Sequence, residues 1–423
     1  MNINNEAIPS ALQANRENCD RKIMLFDLKT SGHHANYIRH LARYWGDNRL
    51  SGSLDIVVSP QFEQQHQGVV ALADQYPQSN IKFVVISAQE SAVIEASKTA
   101  LDRVLRNLRE WQLLCKYAAL LKVEHCMVMY LDTCEIPLTL GLKPPCSISG
   151  IYFRPTFHYS TFAHHQSSRK EWLQQWRERL FVHQTLHNPK LHTLFCLDPL
   201  VDQTIKQIYP NARAIPLADP VEIPNLNSLQ PQTLREKHSI SPDRTVFLLF
   251  GSIDGRKGIY QLLESLKNLP SEVCQQLCIL VVGQANVSER TAICSQIELV
   301  SQAQPVQIIT HFEFVTEQEV QSYFQLADVV LALYQRHVGM SGILLLAAAA
   351  QKPALSTNYG LMGELVLRYQ LGLAVDSTNL EAIAQGLTQI LDNPKAFHNP
   401  EKMKLFAAEH VVNRFAETVF LNL

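Results

Sequence analysis

Two glycine turns carry the residues of this sequence best suited to chemistry. The first, "FGSIDGRKG" (Phe250 to Gly258), follows a short apolar run and opens an amphipathic one. Glycines at 251, 255 and 258 let the backbone approach a ligand closely, and a helix starting there would add the positive end of its dipole. Arg256 and Lys257 bring two cations to the same place, the arrangement a diphosphate group favours. It is not a Walker loop, because Lys257 is followed by Gly258 where Ser or Thr is required. The competing reading is a tight turn with solvated basic residues. The second turn is Gly339, Met340, Ser341 and Gly342, ahead of "ILLLAAAA". A helix that apolar must be buried, and its first amides need partners. Either Ser341 caps them or an anion does. Arg336 and His337 add positive character just before the turn.

The elements that position these turns alternate between strand and helix in both halves of the chain. In the first half "RKIMLFD", "SLDIVVSP", "IKFVVISA", "HCMVMYLDT", "SISGIYFRP", "LHTLFCLD" and "ARAIPL" read as strands. Helices are expected at 98–121 and 171–187. The second half restarts the same pattern with "RTVFLLF", "LCILVVG", "VQIITHFEF", "DVVLALY" and "KPALSTN" as strands, helices between them and one amphipathic helix over 400–421. An aperiodic stretch rich in Pro and Asn marks a boundary near 218–232. The fold class expected is α/β, two doubly wound Rossmann-like domains facing a cleft, with ligands at the carboxyl ends of the strands. The divisions are a flexible arm over 1–20, a first domain over 21–222, a second over 223–399 and a final helix over 400–423.

Composition bounds the function. At 423 residues, 46% hydrophobic and 18% charged, the chain suits two globular cores, and a net charge of −2 gives no electrostatic case for nucleic acid. Nine cysteines, an odd number scattered through apolar runs, read as buried free thiols of a reducing compartment. Cys274 and Cys278 lack a second ligand pair, so no metal is expected. No run reaches the ~20 apolar residues of a spanning helix, and the first twenty residues lack the features of a secretory signal. A cytoplasmic protein is the expectation.

The ordered set "LFGSIDGRKGIYQLLESL", "ILVVGQA", "EQEVQSYFQLADVVLALY", "GMSGILLLAAAAQKPALSTNYGLMGELV" and "LGLAVD" resembles the donor-binding half of GT-B glycosyltransferases, family 4 in particular. The resemblance covers nearly all of 240–420. The first half is similar to the acceptor domain more loosely, through "SGHHANYIRHLA", and the last helix resembles the one that crosses back onto that domain. The resemblance implies a nucleotide-sugar donor, with Gly251, Ser252, Gly255, Gly339, Met340, Ser341, Gly342 and Glu364 at the donor site and no cofactor or metal. It implies that Lys257, with Arg256, neutralises the diphosphate leaving group. There is a departure: Gly339 and Ala347 fall where the family carries two glutamates, Ser252 replaces the usual cation, and Glu364 stands at a different family position.

By the same resemblance Gly32, His33 and His34 sit where the first strand's turn would meet acceptor and sugar. Asp132 would contact acceptor hydroxyls or cap a turn. Arg154 takes the place of a sugar-contacting histidine, for which His158 is a surrogate, whereas His164 and His165 read as surface residues. In "SRKEWLQQWRERLFVHQ", Trp172, Trp176, Leu173, Leu180 and Phe181 share one side among Arg169, Lys170, Arg177 and Arg179. Such a helix packs its aromatics in a core or lays them on an anionic membrane, which makes peripheral contact with the inner membrane face a secondary expectation. The function implied is a hexosyltransferase-type transfer to an unidentified acceptor (saccharide, lipid-linked or small molecule), with retention of configuration. The alternatives are a non-catalytic GT-B-fold binding protein and a nucleotide-sugar epimerase.

Overall fold

The computed structural model describes residues 21–30, 33–95, 100–162, 169–221 and 231–423. They fall into two compact units. The first lies within Met1–His158, Ser168–Pro220 and Val412–Leu423, the second within Tyr159–Ser167 and Val221–Val411.

The first unit is built on a seven-stranded sheet in the order β3-β2-β1-β4-β5-β6-β7, parallel throughout. The strands are β1 (Lys22–Phe26), β2 (Ser53–Val58), β3 (Ile81–Val85), β4 (His125–Val128), β5 (Ser147–Tyr152), β6 (Leu191–Cys196) and β7 (Ala214–Pro216). Successive β1 side chains serve opposite faces, as strand geometry demands. Ile23 and Leu25 join Ile38, Leu41 and Trp45 on one side, and Met24 and Phe26 join Trp111, Leu114 and Tyr117 on the other. Phe415, Val419 and Phe420 of the helix Val412–Leu421 complete the first of these cores, with the Phe420 ring 5.3 Å from that of Trp45.

In the second unit six parallel strands run in the order β10-β9-β8-β11-β12-β13. They are β8 (Thr245–Phe250), β9 (Leu277–Val282), β10 (Gln307–His311), β11 (Val329–Ala332), β12 (Ala354–Thr357) and β13 (Gly372–Val375). Strand order turns back at the neighbouring pair β8 and β11, the place where a doubly wound sheet opens a crevice beyond its strand ends. Both glycine turns sit there. The helix Ile259–Leu266 leaves the first turn and packs against Leu380–Asp392, whereas Gly342–Ala349 leaves the second and packs against Pro400–Glu409. As its composition requires, that helix buries Ile343, Leu344, Leu345, Ala347 and Ala348.

One expected element is divided. The single helix over 400–421 is two, Pro400–Glu409 and Val412–Leu421, the first in the second unit and the last in the first. The break falls where the His410 carbonyl accepts the amide of Val221 at 2.8 Å, and Val411 bridges Val221, instead of continuing the helical ladder.

Candidate functional site

The turn after β8 is shaped by its lysine. Lys257 is 5% exposed, and its Nζ donates to the carbonyl of Phe250 at 2.7 Å and to the Tyr334 hydroxyl at 2.8 Å. Two of its three protons are thus placed by the protein. Among the described residues no carboxylate comes within 4.0 Å of this ammonium. Gly251 has φ of +110°, a conformation that strains any other residue, and a β-carbon there would stand 2.9 Å from Lys257 Nζ and push the ammonium from its place. Gly258 is bound as tightly, since a β-carbon would approach the Leu333 carbonyl to 2.2 Å.

The turn after β11 meets this lysine through Tyr334. Ser341 Oγ donates to the same tyrosine hydroxyl at 3.1 Å and accepts the amide of Ile343 at 3.4 Å. Of the two ways to satisfy the opening of the apolar helix, the serine cap is therefore present. The Gln335 amide donates to the Arg256 carbonyl at 2.9 Å, and its side chain reaches the carbonyls of Leu333 and Ser377. The His337 ring lies 4.9 Å from that of Tyr334, and Gly339 donates its amide to the buried Tyr159 hydroxyl at 3.0 Å. A line of polar contacts, Lys257 to Tyr334 to Ser341, joins the two turns at the strand reversal.

The other donor-site candidates are placed less uniformly. Arg256 is half-exposed with Nη2 3.7 Å from Asp254 Oδ2, so the neighbouring cations point to different surroundings. Ser252 is exposed, and Gly255, Met340 and Gly342 are half-buried within their turns. Glu364 pairs with Arg368 one helical turn later at 3.0 Å. Ala347 is packed inside its helix, where the resemblance would place a carboxylate.

In the first unit a second polar group gathers beyond β1, β4 and β5. Asp27, buried, holds His34 Nδ1 at 2.6 Å through Oδ2 and accepts the Lys29 amide at 3.0 Å through Oδ1. The His34 ring stands edge-on to Tyr130 at 5.6 Å and is stacked on Phe153 at 6.2 Å, and Lys29 Nζ lies 3.5 Å from the Tyr130 ring centre. Asp132 belongs to a one-turn helix, Leu131–Thr133, beyond the end of β4 rather than to the strand itself. Its Oδ2 accepts the Phe153 amide at 3.0 Å. Burial pushes the Asp132 carboxyl up to about 6, and burial with Asp132 alongside pushes that of Glu135 up as well. Desolvation pulls the Lys29 ammonium down, against the nearby charges of Glu110, Asp27 and Asp132.

His33 precedes the helix His34–Asp47 without a side-chain cap and stacks on Tyr37 at 5.9 Å. Arg154 is exposed just past β5. His158 departs from its expected role: it is buried, with Nε2 3.0 Å from Asp198 Oδ2, and so is engaged inside its own unit. Gly32, His164 and His165 lie outside the described residues. Four residues that sequence reasoning passed over now stand out: Asp27, Tyr130, Tyr159 and Tyr334. Asp27 and Tyr334 each close a run read as a strand, and position at a strand's carboxyl end was the signal available for them. Cys274 and Cys278 are buried, and among the described residues no three His, Cys, Asp or Glu side chains assemble as metal ligands.

Comparison with known proteins agrees with this architecture. Residues 231–407 match the family described as glycosyl transferases group 1. No curated protein matches the chain by sequence. Among solved structures, Anabaena HepE in complex with UDP is 11% identical, with 94% of this chain and 98% of that one covered at a TM-score of 0.65. Sucrose-phosphate synthase from Thermosynechococcus elongatus is 14% identical over 95% of this chain and 97% of its own, with a TM-score of 0.66. WaaG, a glycosyltransferase involved in lipopolysaccharide biosynthesis, is 15% identical over 94% and 98%, with a TM-score of 0.58. The chain has a two-unit α/β fold of the GT-B type, and the match to glycosyl transferases group 1 spans residues 231–407 of its second unit.

Proposed function

We propose that this chain transfers a sugar from a nucleotide-sugar to an acceptor hydroxyl, and that the two turns of the second unit hold the donor's diphosphate. The observation that carries the reading is the Lys257 ammonium. It is buried at the strand reversal, among the described residues no carboxylate lies within 4.0 Å of it, and one of its three protons is not engaged by the two hydrogen bonds it makes. A buried cation wants an anion, and a diphosphate at this end of a doubly wound sheet supplies one. In the proposed step the bond from the anomeric carbon to the phosphate oxygen breaks as the acceptor oxygen bonds to the same face. The acceptor's proton passes to the leaving phosphate oxygen. Lys257 stabilises the charge that gathers there, with the half-exposed Arg256 as a second cation and no metal. His34, held by Asp27, is proposed to orient the acceptor.

A second reading, a binding protein without turnover, draws on Ala347 and Gly339 standing where the family carries glutamates. Calorimetry with a panel of nucleoside diphosphates and nucleotide-sugars separates the two when followed by product analysis. Uridine nucleotides come first, since the Anabaena protein was solved with UDP. Binding of one donor class, followed by an acceptor-dependent glycoside whose anomeric configuration matches the donor's, supports transfer with retention. Binding with no product in any acceptor mixture supports the second reading. A product formed without acceptor indicates epimerisation or hydrolysis. No binding of any member to the folded chain overturns the donor site.

A further inference from the structure

The helix Arg169–Leu186 is inverted relative to an ordinary surface helix. The residues it buries are Gln175, Val182 and Thr185, whereas Trp172 is 63% exposed, Leu173 60%, Trp176 53% and Leu180 45%. At about 100° per residue these four exposed side chains lie within about 100° of arc, a continuous apolar stripe turned to solvent. Cations border it on both sides. Arg179 flanks one edge, Arg177 and Lys170 the other, and Arg169 stands at its start; all four are exposed. Both acidic residues of the helix are on the far side. Glu178 accepts the amide and hydroxyl of Thr156, and Glu171 sits half-buried two turns earlier on the same side.

We propose that this face docks on an anionic phospholipid surface. Tryptophan and leucine at the centre, arginine and lysine at both edges and carboxylates excluded from the face are the features of a helix lying in a membrane interface. The tryptophans enter the boundary between headgroups and acyl chains, and the basic edges meet lipid phosphates. Among the described residues no helix is long and apolar enough to cross a membrane, so the contact is one of lying on the surface. The inference stands on this helix alone and does not depend on the donor reading.

The sequence supplies its own probe. Of four tryptophans, Trp45 and Trp111 are buried, leaving Trp172 and Trp176 as the accessible pair. The test is flotation of the full chain with phosphatidylcholine vesicles, with and without phosphatidylglycerol, alongside fluorescence quenching by brominated lipid. Expected are binding that rises with the anionic fraction and weakens with salt, and tryptophan quenching on binding. A ten-fold or greater loss of binding is expected in the double variant Trp172→Ser/Trp176→Ser, and a loss confined to anionic vesicles in Arg169→Gln/Lys170→Gln/Arg177→Gln. Because these side chains are exposed, both variants should melt as the parent does. Failure to float with anionic vesicles, or flotation unchanged by the tryptophan variant, overturns the proposal. So does a concentration-dependent dimer, formed without lipid and abolished by the same substitutions, which would assign the face to a second copy of the chain.

Discussion

Replacing Lys257 by methionine distinguishes a lysine kept for a ligand from one kept as a strut. The substitution retains most of the stem and removes the ammonium. In the unliganded protein the Phe250 carbonyl then loses its donor, a cost of about 1–3 kcal/mol. Tyr334 keeps Ser341 as a partner. Against this stands the desolvation of an ammonium that has no carboxylate within 4.0 Å among the described residues, a penalty on the order of several kcal/mol that the variant no longer bears. The two nearly cancel, so the variant should lie within about 1 kcal/mol of the parent, a shift of roughly 2–4 °C in Tm. Binding should behave otherwise. At about 4 Å from a phosphate oxygen and an effective dielectric near 20, the ammonium contributes about 4 kcal/mol before the water each group gives up is counted. A net loss of about 1.4–2.8 kcal/mol, ten- to hundred-fold in Kd, is the expectation. Thermal unfolding and calorimetry on the same samples measure both. A variant that melts far below the parent and yet binds the nucleotide as well would refute the reasoning and make Lys257 a structural residue.

Three further outcomes follow from particular contacts. Gly251→Ala imposes a left-handed φ on a β-carbon and drives it against Lys257 Nζ, so Tm should fall by an amount worth about 1–2 kcal/mol and nucleotide affinity should fall with it; unchanged affinity would show that the lysine's placement is not what binds. For Asp132, pushed up to about 6, the folded unit holds a proton that the unfolded chain releases between the ordinary carboxylate range and that value, so stability falls as pH rises across this window. Asp132→Asn should remove that fall, the gap in its favour widening by about 1.4 kcal/mol for each pH unit crossed, and a gap independent of pH in paired melts between pH 4 and 7 would contradict the burial argument. Asp27→Asn weakens the anchor of His34 and should lower acceptor-dependent transfer by roughly ten-fold or more while nucleotide binding stays intact; equal losses in both would mean a general defect of folding.

What could be read from the sequence, and what could not, divides along a physical line. Strands buried on both faces are continuous apolar runs, so β1, β8 and β9 were visible without any partner in view. Glycines that open a helix after such a run mark a strand's carboxyl end, and both turns fall at the reversal of strand order that topology makes a binding place. The contacts that join those turns were not visible. Tyr334 closes an apolar strand and looks like more core, and nothing local says that its hydroxyl meets Lys257 from 77 residues away. Asp27 likewise ends a strand, and its grip on His34 depends on how the following turn folds back.

The helix Arg169–Leu186 shows the limit most clearly. Periodicity establishes which side chains share a face; it carries no sign, because the same stripe of Trp172, Leu173, Trp176 and Leu180 satisfies a core or an interface equally. The residues that decide the sign are Gln175 and Thr185, which read as solvent-facing and are buried. Their burial turns the apolar stripe outward. The basic residues that would ring a solvated helix then become the border of an apolar patch, with both carboxylates on the other side. Unaided water leaves such a face at a cost of about 25 cal/mol for each Å² of apolar surface. Two exposed tryptophans and two leucines are therefore better explained by something that covers them, and the charge on both edges specifies that it is anionic.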